Sequence, residues 1–253
     1  MCRLLGSVSR RPVTVDEVLG SERRAFLDLA AKHGDGWGHA WASGRDLQLV
    51  KAPDSALADA AFQAVAADAR AEAAVTHLRW ATLGLDIRPA NTHPFTDGVV
   101  AFAHNGSIDP PAALDALIAP EQASMRQGDT DSERYFLALL SRLAGHDPGV
   151  ALAQTVADIV TSGATVLSLN CMLLAPDALY AVCSYDPARE SDADYYPLLY
   201  RHTGETVVVA STGWTDSAGW RTLSNGQLLV VERGSLRTSV VPVATPADGG
   251  EQR

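Results

Sequence analysis

The chain has 253 residues, 47% of them hydrophobic and 20% charged, with a formal net charge of −10. This length and composition fit one large soluble domain, and the acidic balance argues against nucleic-acid binding, which needs a basic surface. No apolar run reaches the ~18 residues of a membrane span, and no signal-peptide pattern is present, so membrane contact is not expected. Three scattered cysteines, Cys2, Cys171 and Cys183, predict no disulfide framework and favour a cytoplasmic location.

The first half of the chain mixes strands and helices. Residues 2–9 predict a buried strand, and residues 21–32 predict a helix with Phe26, Leu29 and Ala30 at helical spacing. Asp54 is the expected N-cap of an alanine-rich helix that extends to about Glu72. Further strands are predicted at 39–43, 46–51, 73–79 and 99–104.

The second half begins with helices and then becomes rich in strands. Helices are predicted from Asp131 to about Leu143 and from Asp147 onward, where Asp147 caps the helix and Pro148 takes its first position. Strands are predicted at 164–174, 178–185, 195–202, 206–211, 226–233 and 236–243.

These elements predict one domain over residues 2–243, followed by a polar tail at 244–253 that we expect to be disordered. No Ser/Gly linker and no internal repeat divides the chain. Runs of strands around a helical middle favour an α+β fold with antiparallel sheets.

The stretch Thr76-His-Leu-Arg-Trp-Ala-Thr82 ends a predicted strand on a charge. An arginine at a strand end can bind a carboxylate with two hydrogen bonds, and Arg79 is therefore a candidate carboxylate clamp. The alternative is a surface arginine stacked on Trp80.

The stretch Ala103-His-Asn-Gly-Ser-Ile108 has two interpretations. Asn-Gly is a strong hairpin-turn signal, but Pro110-Pro111 follows closely and makes a two-residue hairpin awkward. The Asn105 amide and the Gly106 N–H could instead form an oxyanion hole, because glycine has no Cβ to block the approach of a ligand.

Two polar stretches have structural as well as functional interpretations. Gly128-Asp-Thr-Asp-Ser-Glu-Arg134 could simply cap a helix, with Thr130 or Asp131 at the cap, or could bind a ligand ammonium group; calcium is a weaker alternative. The stretch Asn91-Thr-His-Pro-Phe95, which contains His93, is a polar turn of a common kind and alone does not indicate a function. Zinc at His77, His93 and His104 is a further alternative, but no paired-histidine motif supports it, and no metal is predicted.

Cysteine at position 2 gives these stretches a common interpretation. Taken together, a terminal thiol, a carboxylate clamp, an ammonium acceptor and an oxyanion hole suit an amino acid with a reactive side-chain amide, and glutamine is that molecule. The sequence resembles the class II glutamine amidotransferases, which are N-terminal-nucleophile hydrolases. The resemblance runs through Met1-Cys-Arg-Leu-Leu-Gly6, Asp35-Gly-Trp-Gly38, Arg79-Trp-Ala-Thr82, Asn91-Thr-His-Pro-Phe95, His104-Asn-Gly-Ser107 and Gly128-Asp-Thr-Asp-Ser-Glu133.

The resemblance implies a four-layer αββα sandwich and a set of roles. Cys2 would be the nucleophile once Met1 is removed, and its freed α-amine would be the general base. Asn105 and Gly106 would hold the oxyanion, and no cofactor is implied. The remaining roles are Arg79 for the substrate α-carboxylate, Trp80 and Thr82 for shaping that end, Asp131 for the α-ammonium, and His93 and Trp37 for the pocket wall.

One position departs from the family. Leu83 stands where many synthase members have histidine after the Arg-x-Ala-Thr stretch, so the loops that close over the pocket could differ. The β-rich second half looks like that of small stand-alone members, such as the γ-glutamyl amidohydrolases of the ergothioneine pathway.

The expected activity is hydrolysis of a γ-glutamyl amide, in glutamine or in a γ-glutamylated metabolite, through a γ-glutamyl thioester. The first alternative is a glutaminase subunit that supplies ammonia to a separate synthase partner. The second is a non-catalytic module that binds glutamine.

Overall fold

The computed structural model describes residues 2–81, 85–188, 195–215 and 218–249. Its strands pair antiparallel throughout these ranges and form two sheets. They are β1 (Arg3–Val13), β2 (Trp37–Ser43), β3 (Asp46–Ala52), β4 (Ala71–Leu78), β5 (Phe95–Thr96), β6 (Ala101–Asp109), β7 (Thr165–Leu174), β8 (Ala178–Cys183), β9 (Leu198–His202), β10 (Thr206–Ser211), β11 (Arg221–Leu223), β12 (Gln227–Glu232) and β13 (Thr238–Pro242).

One sheet has seven strands in the order β11-β9-β10-β1-β4-β2-β3, and the other has six in the order β13-β12-β8-β7-β6-β5. The α-helices are α1 (Val15–Leu19), α2 (Arg23–Leu29), α3 (Ala60–Asp68), α4 (Pro120–Ala123), α5 (Asp131–Leu143) and α6 (Pro148–Thr161). Short 3-10 helices cover Gly20–Glu22, Pro89–Asn91, Pro111–Leu117 and Pro246–Gly249. In the described ranges, no helix is long and apolar enough to cross a membrane.

Three hydrophobic cores separate four layers, and together they confirm the predicted αββα sandwich. Phe26 and Phe62 pack α2 and α3 on the outer face of the seven-stranded sheet, Leu4 and Met172 meet between the sheets, and Tyr135 packs α5 on the six-stranded sheet. Each sheet is covered on both faces because apolar side chains point to both sides of its central strands.

The alternation of side chains along β1 decides which residues face the inter-sheet space. Leu4 and Val8 point into the core between the sheets, whereas Leu5 points toward the helices on the outer face. Cys2 has the same parity as Leu4 and directly precedes the strand. The fold therefore directs the chain start toward the gap between the sheets.

Two predicted helices differ from the structure. The alanine-rich helix is capped by Asp59, whose carboxylate accepts from the Ala61 N–H at 2.8 Å, so the prediction of Asp54 as its cap is wrong. Where a helix was predicted at 21–32, the structure has a 3-10 turn followed by α2. Helix α1, which begins at a Thr14–Glu17 capping box, was not predicted.

The C-terminal segment has a defined conformation up to residue 249. Pro246–Gly249 form a 3-10 helix, and Val243 and Ala244 pack against the core beneath α6. The Ala244 carbonyl accepts from the Ser184 hydroxyl at 2.9 Å. Order therefore extends into the predicted tail, of which residues 250–253 lie outside the described ranges.

Candidate active site

A cavity of about 260 Å³ opens where the start of β1, the end of β4 and the start of α5 meet. It joins side chains that are far apart in the chain. The predicted site residues that line it are Cys2, Arg79, Trp80, His93, Gly106 and Asp131.

The Cys2 sulfur lies against the backbone of Trp80. The Trp80 N–H points at Sγ across 3.4 Å, and the thiol donates to the Trp80 carbonyl across 3.6 Å. Burial raises the pKa of the Cys2 thiol, and Asp131 adds to this, whereas the Trp80 backbone, the terminal amine and Arg79 lower it. The net direction is upward, so the thiol is protonated at neutral pH.

The Arg79 side chain is held from two sides. The guanidinium donates to the Asp35 carbonyl at 3.3 Å and to the Asp86 carbonyl at 3.4 Å, and the side chain is buried. The Arg79 N–H also donates to the Gly36 carbonyl at 2.8 Å. Burial lowers the pKa of the guanidinium from its usual value, and Cys2 and Asp35 oppose this shift. The cation is thus fixed at the cavity wall by backbone acceptors.

Asp131 is the first residue of α5 but does not cap it. Thr130 is the cap, since its hydroxyl accepts from the Glu133 N–H at 3.0 Å. The Asp131 carboxylate accepts from the Ile108 N–H at 2.8 Å and faces the cavity. The capping interpretation is therefore confirmed for Thr130, and Asp131 contributes a carboxylate to the cavity, where binding of a ligand ammonium group stays a prediction.

Asn105 and Gly106 lie inside β6, which runs straight through them, so the hairpin alternative is wrong. A Cβ on Gly106 would lie 1.8 Å from the Ser168 carbonyl oxygen, which explains the glycine. Ala101 and Ala103 face the inter-sheet core, and Asn105 shares their parity. Asn105 is fully buried and is not among the residues that line the cavity, and its amide nitrogen and oxygen have no hydrogen-bond partner among the described residues.

Three buried histidines stand beside the cavity. The rings of His77 and His93 meet at 4.2 Å between centroids, and neither ring nitrogen of His93 has a hydrogen-bond partner in the described part of the chain. His104 contacts the Ser132 hydroxyl at 2.9 Å and the Ser168 carbonyl at 3.0 Å. Burial lowers the pKa of all three, that of His77 to about 3. Among the described residues, no group of His, Cys, Asp and Glu has the arrangement of a metal site.

The prediction that Trp37 supports the pocket wall is wrong. Trp37 points to the outer face of its sheet, where its indole N–H donates to Asp59 at 2.7 Å and its ring meets Phe62 at 5.0 Å. The physical reason is strand alternation, which turns Trp37 away from the cavity and Gly38 toward it. Thr82, with Leu83, lies outside the described residues.

Trp80 contributes mainly through its backbone. Its ring is 38% exposed, contacts the His33 ring at 5.6 Å between centroids, and lies under the Lys32 ammonium at 4.9 Å. It lines the rim of the cavity rather than its floor.

Two residues to which the sequence reasoning assigned no role organise the site. Asp35 accepts from the Ala81 N–H at 2.8 Å, in addition to binding Arg79 through its carbonyl. The Asn91 side chain bridges the Asp86 carbonyl at 3.1 Å and the Asp129 N–H at 3.0 Å. Both stand in motifs that carry the family resemblance, and that was the signal available for them.

Comparisons with known proteins identify the family of the chain. A model of the class II glutamine amidotransferases matches residues 1–248. The γ-glutamyl-hercynylcysteine sulfoxide hydrolase of Mycobacterium tuberculosis is 28% identical over 249 residues, which are 95% of this chain and 97% of that protein. The glutamine–fructose-6-phosphate aminotransferase of Caulobacter vibrioides is 31% identical over 180 residues, 63% of this chain and 28% of that protein.

Solved structures share the fold. A glutamine aminotransferase class-II domain protein from Silicibacter pomeroyi superposes with a TM-score of 0.69 at 24% identity, over 96% of this chain and all of that one. The glutamine phosphoribosylpyrophosphate amidotransferase of B. subtilis superposes with a TM-score of 0.65 at 16% identity, over 96% of this chain and 49% of the other. At these identities the likeness establishes architecture alone.

Proposed function

The chain belongs to the class II glutamine amidotransferases, and from this premise we propose that it hydrolyses a γ-glutamyl amide with Cys2 as the nucleophile. One observation carries the proposal. A single cavity presents a thiol, a guanidinium and a carboxylate, contributed by Cys2, Arg79 and Asp131. These are the groups needed to hold the head group of an amino acid and to attack its side chain.

The head group of the substrate would bind across the cavity between the two charged residues. Arg79 would pair with the α-carboxylate, and Asp131 would accept hydrogen bonds from the α-ammonium. Charge-assisted hydrogen bonds of this kind are the strong ones. Trp80 and Thr82 would shape that end of the cavity, and His93 would form part of its wall. A γ-glutamyl side chain bound in this way would present its carbonyl carbon to the Cys2 sulfur.

An ordinary cysteine thiol is mostly protonated near neutral pH, so its attack on a carbonyl needs a base. A protonated Cys2 must lose its proton as it attacks, and the α-amine freed by removal of Met1 would take it. Such an amine titrates near ~7.7–8.0, close to working pH, so it can accept and return a proton. The terminal nucleophile would therefore carry its own base.

The chemistry then proceeds in two steps. Sulfur adds to the γ-carbonyl carbon, and the oxyanion would be stabilised by the Asn105 side-chain amide and the Gly106 N–H. The C–N bond breaks, the amine leaves with the proton from the α-amine, and a γ-glutamyl thioester remains. Water attacks the thioester, the C–S bond breaks, and glutamate and the free thiol are released. No cofactor is needed.

The comparisons favour hydrolysis over ammonia supply. The chain aligns with nearly the whole of a protein named as a hydrolase, but with only 28% of an aminotransferase. We therefore infer that water is the acceptor and that the leaving group is a metabolite amine, with γ-glutamyl derivatives of cysteine compounds as the first substrates to test. A separate synthase partner is the second candidate. A cytoplasmic location stays a prediction.

The test measures glutamate released from glutamine and from a panel of γ-glutamyl amides. The wild-type protein should release glutamate, and Cys2→Ala should lower kcat by at least about 10³-fold, because it removes the nucleophile. Cys171→Ala is the matched control, since that thiol is buried and its pKa is raised to about 12. Full activity of Cys2→Ala would refute the mechanism. Glutamine binding without hydrolysis of any amide would leave the binding-module alternative.

A second measurement tests the base. The intact mass of active protein should lack Met1, and a diazo-ketone analogue of glutamine should label Cys2 while sparing Cys171 and Cys183. Retention of Met1 in fully active protein would exclude the Cys2 α-amine as the base.

A further inference from the structure

The segment Thr92–Pro94, which we call the wall segment, contributes His93 to the lining of the active-site cavity, and one lysine binds the backbone on both sides of that residue. Lys51, on β3, donates from Nζ to the Thr92 carbonyl at 2.7 Å and to the Pro94 carbonyl at 3.2 Å. Between these two carbonyls lies His93, whose ring is buried and lines the cavity. One ammonium group thus binds the backbone on both sides of a residue in the proposed site.

The partner of Lys51 on the neighbouring strand completes this contact. Gly38 on β2 is the residue paired with Lys51 across the sheet. A Cβ on Gly38 would lie 2.1 Å from the His93 carbonyl oxygen, so that carbonyl occupies the space that the glycine leaves open. Three consecutive carbonyls, those of residues 92, 93 and 94, therefore dock on one cross-strand pair, which we call the Gly38–Lys51 pair.

Holding the loop with Lys51 costs desolvation free energy, because its ammonium is partly removed from water. Lys51 is half-buried, and its ammonium is in no salt bridge within the described residues. The titratable groups that face it are Glu133, whose carboxylate already accepts from the Gln127 and Gly128 N–H groups at 2.7 Å each, and His93. Burial lowers the pKa of Lys51 to about 8. The Phe95 ring also lies under the ammonium, 5.3 Å from Nζ to the ring centroid, so the cation is held by two carbonyls and one aromatic face.

We infer that Lys51 is a positioning residue of the active site, which sets the placement of His93 by binding the carbonyls on either side of it. The inference rests on the proposed function for its catalytic consequence. The Gly38–Lys51 pair holds the wall segment, and the segment holds the His93 ring, which meets the His77 ring edge to face. Misplacement of a wall group by about 1 Å can lower a rate by about 10²-fold, so the effect is measurable.

The first experiment reads the placement of His93 without using activity. Histidine labelled with ¹³C at Cε1 gives seven ring signals in this chain, and the signal lost in His93→Gln identifies His93. Lys51→Met should shift the His93 signal and leave that of His202 in place, because His202 lies at the end of β9, away from the site. Lys51→Arg, which keeps donors for both carbonyls, should return the His93 signal most of the way.

The second experiment measures kcat and KM for glutamate release in the same variants. Lys51→Met should lower kcat/KM by about 10- to 100-fold, and Lys51→Arg should recover most of it. Gln48→Met, an exposed change on the same strand, should behave as wild type. These assays are run well below the melting temperature of each variant, so that loss of folded protein does not contribute.

The outcomes separate the two proposals. An unchanged His93 signal in folded Lys51→Met would overturn the positioning role, whatever the activity. A shifted signal with unchanged kcat/KM would reduce Lys51 to a structural contact and also overturn it. Failure of the wild-type protein to hydrolyse any amide would instead remove the proposed function, and the histidine signals would still show whether Lys51 places the ring.

Discussion

The two sides of the cavity differ in how their polar groups are satisfied. On the head-group side, defined by Arg79 and Asp131, the guanidinium already binds two backbone carbonyls and the carboxylate already binds a backbone N–H. On the proposed reaction side, to which we assign Cys2, Asn105 and His93, the Asn105 amide and the His93 ring are buried and have no partner in the described part of the chain, and Asn105 lies outside the cavity lining. The groups proposed to bind the head group are therefore hydrogen-bonded within the protein, whereas the Asn105 amide and the His93 ring are not.

The unpaired groups near the proposed nucleophile are held at a cost in folding stability. A buried polar group without a partner costs on the order of 1–3 kcal/mol, so folded proteins contain few of them. A donor that waits unpaired can give its full hydrogen bond to an oxyanion that forms only during the reaction. We expect substitutions on the reaction side to reduce kcat and to spare stability, and substitutions on the head-group side to raise KM and reduce stability.

After Cys2→Ala, the largest effect should come from Asn105→Ala. Loss of one oxyanion donor lowers kcat by about 10²–10³-fold, or about 2.7–4 kcal/mol, with little change in KM. The melting temperature should change little, because the Asn105 amide makes no hydrogen bond among the described residues. Steady-state kinetics and thermal unfolding of the same preparation measure both.

Asn170→Ala is the matched control, because Asn170 pairs with Asn105 across β6 and β7. Its side chain donates to the Tyr196 carbonyl at 2.5 Å and accepts from the Ser184 N–H at 2.8 Å. This variant should lose stability and keep most of its kcat when folded. The comparison of the two sides fails if Asn105→Ala proves to be the less stable protein with unimpaired kcat.

The next effect is on substrate binding. Arg79→Lys keeps the charge but cannot bind a carboxylate with two parallel hydrogen bonds and also reach both backbone carbonyls. We expect KM to rise about 10- to 100-fold, as for a lost charge-assisted hydrogen bond worth about 1.5–3 kcal/mol, with a smaller change in kcat and a lower melting temperature. A change confined to kcat would contradict the head-group assignment.

The smallest effect is a pH dependence of stability, to which one buried histidine on each face of the seven-stranded sheet contributes. Burial lowers the pKa of His77, beside the cavity, to about 3, and that of His39, on the outer face beside Trp41, to about 4. Between pH 6.5 and these values the unfolded chain binds more protons than the folded one, so the free energy of unfolding falls as pH falls. Each histidine contributes a slope of up to about 1.4 kcal/mol per pH unit.

Urea unfolding at pH 7, 6 and 5 measures this slope, and His39→Gln tests one share of it. The variant should lose less stability on acidification than the wild type, while its kcat stays near that of the wild type, since His39 lies outside the cavity. An unchanged slope would show that His39 is not buried as a neutral ring.

Much of the strand pattern could be predicted because its signals are local. The helix of Asp131–Leu143, the Asp147 cap and the strand at 206–211 agree with the structure, since apolar spacing and capping residues act within a few positions. Asp54 and Asp59 both precede the same alanine-rich run, and only the geometry of the turn between them decides that Asp59 is the cap.

The site, like the fold, has some features that the sequence predicts and others that only the structure shows. The order of its motifs indicated the family and most of the cavity-lining residues, because these residue types suit the chemistry at any distance along the chain. Trp37 was misplaced, since a strand's parity is set by the sheet it joins and not by its own composition. The bond from Lys51 to the wall segment could not be read from sequence either, because it joins β3 to a loop 41 residues further on.

The class of chemistry follows from residue types alone, because a thiol behind the first methionine and polar groups that suit a γ-glutamyl substrate restrict what the protein can do. Which polar groups are hydrogen-bonded and which are unpaired, and which loop the half-buried Lys51 holds, depends on how the chain folds. The reason is that hydrogen-bond satisfaction depends on groups brought together from distant parts of the chain, and residue order does not record those distances.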